Sequence, residues 1–136
     1  MLLVADANEL FSAAIKEGKT ADILVSDKLE LITPEFVLFE LKKHKDEILT
    51  KTHRSADDFD KFLSVIVEKI EIIPSLELKS FLNDAGSLSP DPDDIQYFAA
   101  ALKYNCGIWS NDKALKKQLK VKVFSTSELL KELGLK

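Results

Sequence analysis

A chain of 136 residues is long enough to bury one shared core and too short for several. Its single cysteine excludes a disulfide framework and fits a reducing, intracellular setting. A net charge of −4 argues against a protein that coats DNA, yet not against an enzyme of nucleic acid, because carboxylates gathered around divalent cations lower the formal charge while the loaded site attracts phosphate.

The N-terminal MLLVADANEL carries no basic leader, and no apolar run reaches the roughly 18 residues of a membrane span, so a soluble, cytoplasmic protein is expected. The first strand is predicted at Leu2 to Ala5, followed by a helix from about Asn8 to Lys16 closed by Gly18. Thr20 caps a short helix carrying Ala21, Ile23, Leu24 and Val25, and Leu29 to Thr33 reads as a second strand. Thr33 and Pro34 open a longer helix, with proline in the first turn where its missing N–H costs nothing.

Ser55 and Asp58 form a capping box for a helix bearing Phe59, Phe62, Leu63, Ile66, Val67 and Ile70 at helical spacing. Ile70 to Ile73, closed by Pro74, is a strand, Leu76 to Asp84 a helix, and Gly86 to Pro92 a loop. Asp91 and Pro92 start a helix through Ile95, Phe98, Ala99 and Leu102, followed by a buried strand at Gly107 to Trp109. Lys113 to Leu119 reads as a short helix, Val121 to Phe124 as the last strand, and Ser125 with Glu128 as a second capping box. Cys106 lies where a small buried side chain is expected rather than a nucleophile.

Short apolar strands alternating with helices imply an α/β three-layer sandwich over residues 1–136, with a central parallel sheet of about five strands and helices on both faces. Sites in such sheets lie beyond the carboxyl ends of the strands. Four carboxylates draw attention there. Asp6 ends the first strand, either as a ligand at the top of the sheet or as a turn residue beside Asn8. Glu40, within FVLFEL, shares the edge of an apolar stripe, and an inward carboxylate must be paired, protonated or bound to a cation; an ion pair with lysine is the alternative.

In SPDPDDIQYFAAAL, Asp94 lies one turn before Phe98 on the face turned to the sheet, while Asp91 suits the cap and Asp93 solvent; Asp91 stays open as an alternative ligand. Asp112 follows GIWSN and serves as ligand or as N-cap of the next helix. Four carboxylates in one cleft repel one another unless divalent cations neutralise them, and hard oxygen ligands select Mg²⁺ or Mn²⁺ over zinc. Histidines His44 and His53 are expected at the surface, and no Gly-rich phosphate loop is present.

VADANELFSA, ITPEFVLFELKKHKDEIL, DPDDIQYFAAALKYNCGIWSNDKAL and VKVFSTSELLKEL, spread over nearly the whole chain, together resemble the PIN-domain nucleases. The resemblance implies a Rossmann-like sandwich whose acidic set falls on Asp6, Glu40, Asp94 and Asp112, with Asn8, Ser110 and Asn111 as accompanying polar residues. One departure is Ala114, where some relatives carry another aspartate that bears on a second ion. The resemblance further implies a Mg²⁺- or Mn²⁺-dependent endoribonuclease, in which one or two ions activate water against a phosphodiester. Many small members are VapC-like toxins silenced by an antitoxin protein, and small PIN domains often pair as homodimers. Lys113, Lys116 and Lys117, and separately Lys42, Lys43, Lys45 and Lys51, are candidates to hold an RNA backbone. The rival readings are a catalytically silent PIN domain that binds RNA or protein, and a receiver-type phosphoacceptor domain, which needs an aspartate at the end of a middle strand; Thr33–Pro34 and Ile73–Pro74 are taken as the middle-strand ends.

Overall fold

The computed structural model describes residues 1–15, 19–53 and 55–135. Among these residues five strands form one sheet: β1 (Leu2–Ala5), β2 (Glu30–Pro34), β3 (Ile70–Ile73), β4 (Gly107–Trp109) and β5 (Val123–Phe124). Their order is β3-β2-β1-β4-β5 and every pairing is parallel. Leu3, Val4 and Ala5 of β1 are all buried, as are Ile108 and Trp109 of β4. Both faces are therefore covered, which is why the central strands are apolar throughout rather than alternating.

The helices are α1 (Ala7–Ile15), α2 (Lys19–Leu24), α3 (Phe36–Lys43), α4 (Lys45–Thr52), α5 (Ala56–Lys69), α6 (Ser75–Leu78), α7 (Leu82–Leu88), α8 (Ile95–Tyr104) and α9 (Thr126–Leu133). Tyr97 to Ala101 of α8 are buried without interruption, because this helix packs on β1, β2 and β4 and is itself covered by α6 and α7. Elsewhere α1 contacts α2, α3 and α4, while α9 packs on β5 and α2. The two capping boxes at Ser55–Asp58 and Ser125–Glu128 are both formed.

Several local expectations change. Pro34 ends β2, where it stands opposite Ile73, and the following helix starts only at Phe36. Strand pairing thus claims the proline before the helix can use it. That helix also breaks at His44 into α3 and α4. Thr20 lies inside α2, and Lys16 and Gly18 of the first expected helix end lie outside the described residues. Gly86 belongs to α7 instead of a loop, and Leu76 to Asp84 is split by a 3₁₀ turn at Lys79–Phe81. Pro92–Asp94 and Lys113–Lys117 are likewise 3₁₀ turns, and β5 starts at Val123. Val67 on α5 is exposed, because only the row through Phe59 and Ile66 faces the core. The middle strands are not β2 and β3: β1 is central and β3 is an edge. A receiver-type sheet has the order 2-1-3-4-5, so the observed order excludes that reading.

Candidate active site

The order in which strands are added to the sheet reverses at β1, whose neighbours are β2 on one side and β4 on the other. The crevice beyond the carboxyl ends of β1 and β4 is therefore the topological switch point. Ala5 pairs with Trp109, so the next residues, Asp6 and Ser110, leave the sheet side by side. The ladder runs one step further through the Asp6 N–H donated to the Trp109 carbonyl, 3.2 Å.

Asp6 is buried, only 4% exposed, and its carboxylate is well held. Oδ1 accepts from the Asn8 N–H at 3.0 Å, and Oδ2 accepts from the Ser110 hydroxyl at 2.7 Å. The Tyr97 hydroxyl, whose oxygen accepts from the Ala7 N–H at 2.9 Å, lies near enough to help lower the Asp6 pKa. Burial nonetheless outweighs these donors and raises the Asp6 pKa, with the nearby Asp112 charge pushing the same way. Ser110 Oγ also accepts from the Asp112 N–H at 3.1 Å, so one hydroxyl ties the end of β1 to the turn after β4.

A cavity of about 500 Å³ opens in front of Asp6, with Asn8, Glu40, Lys43, Asp93, Asp94 and Tyr97 among its walls. Asp94 is half-buried at the start of α8, and its pKa is pushed up to about 6, first by burial and then by the charges of Asp6, Asp91, Asp112 and Asp93. Asp91 caps the turn before it, accepting from the Asp93 N–H at 2.9 Å, and Asp93 is exposed. Glu40 sits at the rim and not inside: its side chain is 42% exposed, its neighbour is His44 at 3.9 Å, and among the described residues it has no lysine partner. The break after α3 leaves this last helical turn at the surface. Asp112 is exposed and caps the following 3₁₀ turn by accepting from the Ala114 N–H at 3.0 Å; it acts on Asp6 and Asp94 through its charge and is not among the cavity walls.

A family model of the PIN domain matches residues 4–133. The chain belongs to the PIN-domain family. The PIN-domain proteins are nucleases and generally use divalent metal ions. No curated protein matches the sequence. Among solved structures, the chain is similar to VapBC2 from Rickettsia felis, whose crystal structure was determined bound to a DNA fragment from their promoter. That likeness has a TM-score of 0.68 at 16% identity, spans 92% of this chain and 98% of the other, and concerns the fold.

In this PIN domain the cleft residues suit a hard divalent ion chemically. Every anionic group is an oxygen donor, and among the described residues none of Asp6, Asp94 and Asp112 is paired with a lysine, arginine or histidine. Gln96 Oε1, on a residue that also lines the cavity, is buried without a hydrogen-bond partner. Among the described residues no three carboxylate, imidazole or thiol groups stand together as a ready metal cluster. Mg²⁺ needs no such cage, since it is commonly held through one or two carboxylates with water or phosphate completing the shell.

The second tier of polar residues differs from expectation. Asn8 supports Asp6 through its backbone N–H, and Asn111 reaches none of the four acids. Instead Asn111 Nδ2 donates to Glu9 Oε1 at 2.8 Å and its backbone N–H to Glu9 Oε2 at 3.1 Å. Glu9 is a buried carboxylate that the sequence did not single out. An acid in the first turn of α1 looks like an ordinary dipole partner, and its real partner lies 102 residues away. Tyr97 was missed too, although its place one turn after Asp94 was a usable signal. Lys113 and Lys116 line a cavity behind Asn111, where Lys116 pairs with Glu128; Lys117 is exposed. Cys106 is partly buried against the core, and burial pushes its thiol up to about 11, far from a nucleophile.

Proposed function

We infer that the protein is a Mg²⁺- or Mn²⁺-dependent endoribonuclease that cleaves single-stranded RNA. The observation that carries the reading is Asp6: a carboxylate buried at the end of the central strand and held by two donors, facing a cleft shared with Glu40 and Asp94 in a PIN domain. A bound divalent ion would lower the pKa of water and neutralise charge developing on a phosphodiester. Asp6 and Asp94 are the residues assigned to hold it, with Glu40 at the rim and Asp112 completing the negative field. The Ser110 hydroxyl and the Asn8 backbone N–H fix the Asp6 rotamer. Lys43, a cleft wall, meets a substrate phosphate, and the lysines at 113, 116 and 117 extend the contact along the backbone.

In the cell this reading makes the chain a cytoplasmic toxin neutralised by a small antitoxin, with a second copy of itself as a further partner. The fold shared with VapBC2 supports that assignment, and exposed Phe39 on α3, 78% accessible, offers a partner an apolar contact beside Glu40. Among the described residues no helix is long and apolar enough to cross a membrane. The testing experiment is cleavage of end-labelled single-stranded RNA with Mn²⁺ or Mg²⁺, comparing the parent with Asp6→Asn and Asp94→Asn. Metal-dependent cutting by the parent alone supports the function. Equal cutting by all three proteins points to a contaminant or to different ligands, and no cutting by the parent favours the silent binding module; either result defeats the reading.

A further inference from the structure

Glu9 is 3% exposed, and both of its carboxylate oxygens are spent on one residue, Asn111. Asn111 in turn has its amide fully engaged with the start of α9. Its Oδ1 accepts from the Thr126 N–H at 2.7 Å, and its Nδ2 also donates to Thr126 Oγ1 at 3.0 Å. The chain of contacts ends at Trp109, whose indole N–H donates to the same Thr126 oxygen at 3.1 Å. Asn111 stands between Ser110, which holds Asp6, and Asp112, whose charge reaches Asp6 and Asp94. The turn after β4 is thus gripped from two sides: by α9 through Thr126 and by α1 through Glu9.

A carboxylate buried beside other carboxylates is costly. Burial first, and the charges of Asp6 and Asp112 after it, push Glu9 up to about 7. An apolar residue would avoid that cost but would leave the Asn111 N–H and side-chain amide without this acceptor, so the glutamate is retained to hold Asn111. Resting on the metal-site reading above, we propose that Glu9 is a positioning residue that sets the Ser110–Asn111–Asp112 turn, through Asn111, in the geometry the ion requires. It does not touch the ion. Its two acceptor oxygens fix both the backbone and the side chain of Asn111, which a single-acceptor side chain cannot do.

The test is calorimetric titration of Mn²⁺ alone into the full chain, comparing the parent with Glu9→Gln, Asn111→Ala and the double variant, with circular dichroism confirming the fold. Groups that orient metal ligands typically cost about 10- to 100-fold in affinity when removed. Each single variant should show a loss of that size, and the double variant should be no weaker than the weaker single, since both break one linkage. A folded Glu9→Gln protein that binds Mn²⁺ like the parent overturns the proposal and leaves the function standing. Loss in Glu9→Gln with none in Asn111→Ala overturns it differently, by making Glu9 a direct ligand. A parent that binds no Mn²⁺ removes the metal-site reading itself. Should Glu9→Gln fail to fold, Asn111→Ala, at an exposed position, carries the comparison alone.

Discussion

Replacing Asp94 by asparagine should stabilise the metal-free protein while abolishing its activity. In the fold the Asp94 carboxyl is raised from 3.8 to about 6, so at pH 7.5 its ionised form destabilises the native state. Taken in full, that difference is about 3 kcal/mol. Asp94 is only half-buried, and solvent screening reduces the figure to about 1.5 kcal/mol. The positive end of α8, which favours an anion at its first turn, takes back about 0.5 kcal/mol. No capping bond is lost, because the Asp94 side chain caps nothing. A net gain of about 1 kcal/mol remains, which for a domain of this size raises Tm by about 4 °C.

The assay is thermal unfolding in EDTA at pH 7.5 and again at pH 4. A group whose folded pKa is raised destabilises the fold above that pKa and is harmless below its unfolded value. The gain should therefore vanish at pH 4, where Asp94 of the parent is protonated in the fold. Saturating Mn²⁺ should reverse the ranking at pH 7.5, since at 100 times Kd a ligand adds about 2.7 kcal/mol to the protein that binds it. An Asp94→Asn protein no more stable than the parent in EDTA at pH 7.5, or one equally stabilised at pH 4, would refute the reasoning.

The same sign governs the parent: with Glu9 at about 7 and Asp94 at about 6, stability in urea with EDTA should fall between about pH 4.5 and 7.5 as pH rises, Glu9 alone contributing about 3 kcal/mol. A flat or rising profile contradicts this assignment. Ser110→Ala removes the donor to Asp6 and the acceptor of the Asp112 N–H, both at a buried position, and should cost about 2–4 kcal/mol in denaturant unfolding. A loss below half a kcal/mol would mean that this hydroxyl does not join the two strand ends. Lys43→Ala should weaken RNA binding and lower the slope of log K against log salt by about 1, measured by fluorescence anisotropy with EDTA present. An unchanged slope would place the phosphate elsewhere.

Residues whose role is set by local sequence were legible, and those set by contacts between distant segments were not. Asp6 and Ser110 could be placed at strand exits because the apolar runs LLVA and GIW stop there. The two capping boxes and the Asp91 cap are likewise local signals. Glu40 was read as inward from the continuity of FVLFEL, but the break at His44 shortens α3 and leaves that carboxylate at the rim. Pro34 follows the same rule: its helix-starting preference yields to the pairing of β2 with β3, which sequence spacing does not encode. The strand order was hidden as well, so β1 was not recognised as central. Glu9, Tyr97 and the pairing of Asn111 with Glu9 depend on contacts across 90 to 102 residues, beyond the reach of any periodicity.

The central claim is that oxygens from α3, the end of β1 and the start of α8 form one site for a hard cation. It is tested most directly by anomalous diffraction from crystals soaked in MnCl₂. The account expects a peak in the cleft between the Asp6 and Asp94 carboxylates that disappears in the Asp94→Asn protein. A cleft with no anomalous signal at saturating Mn²⁺, or a peak bound elsewhere while Asp6 and Asp94 remain free of it, would contradict the account.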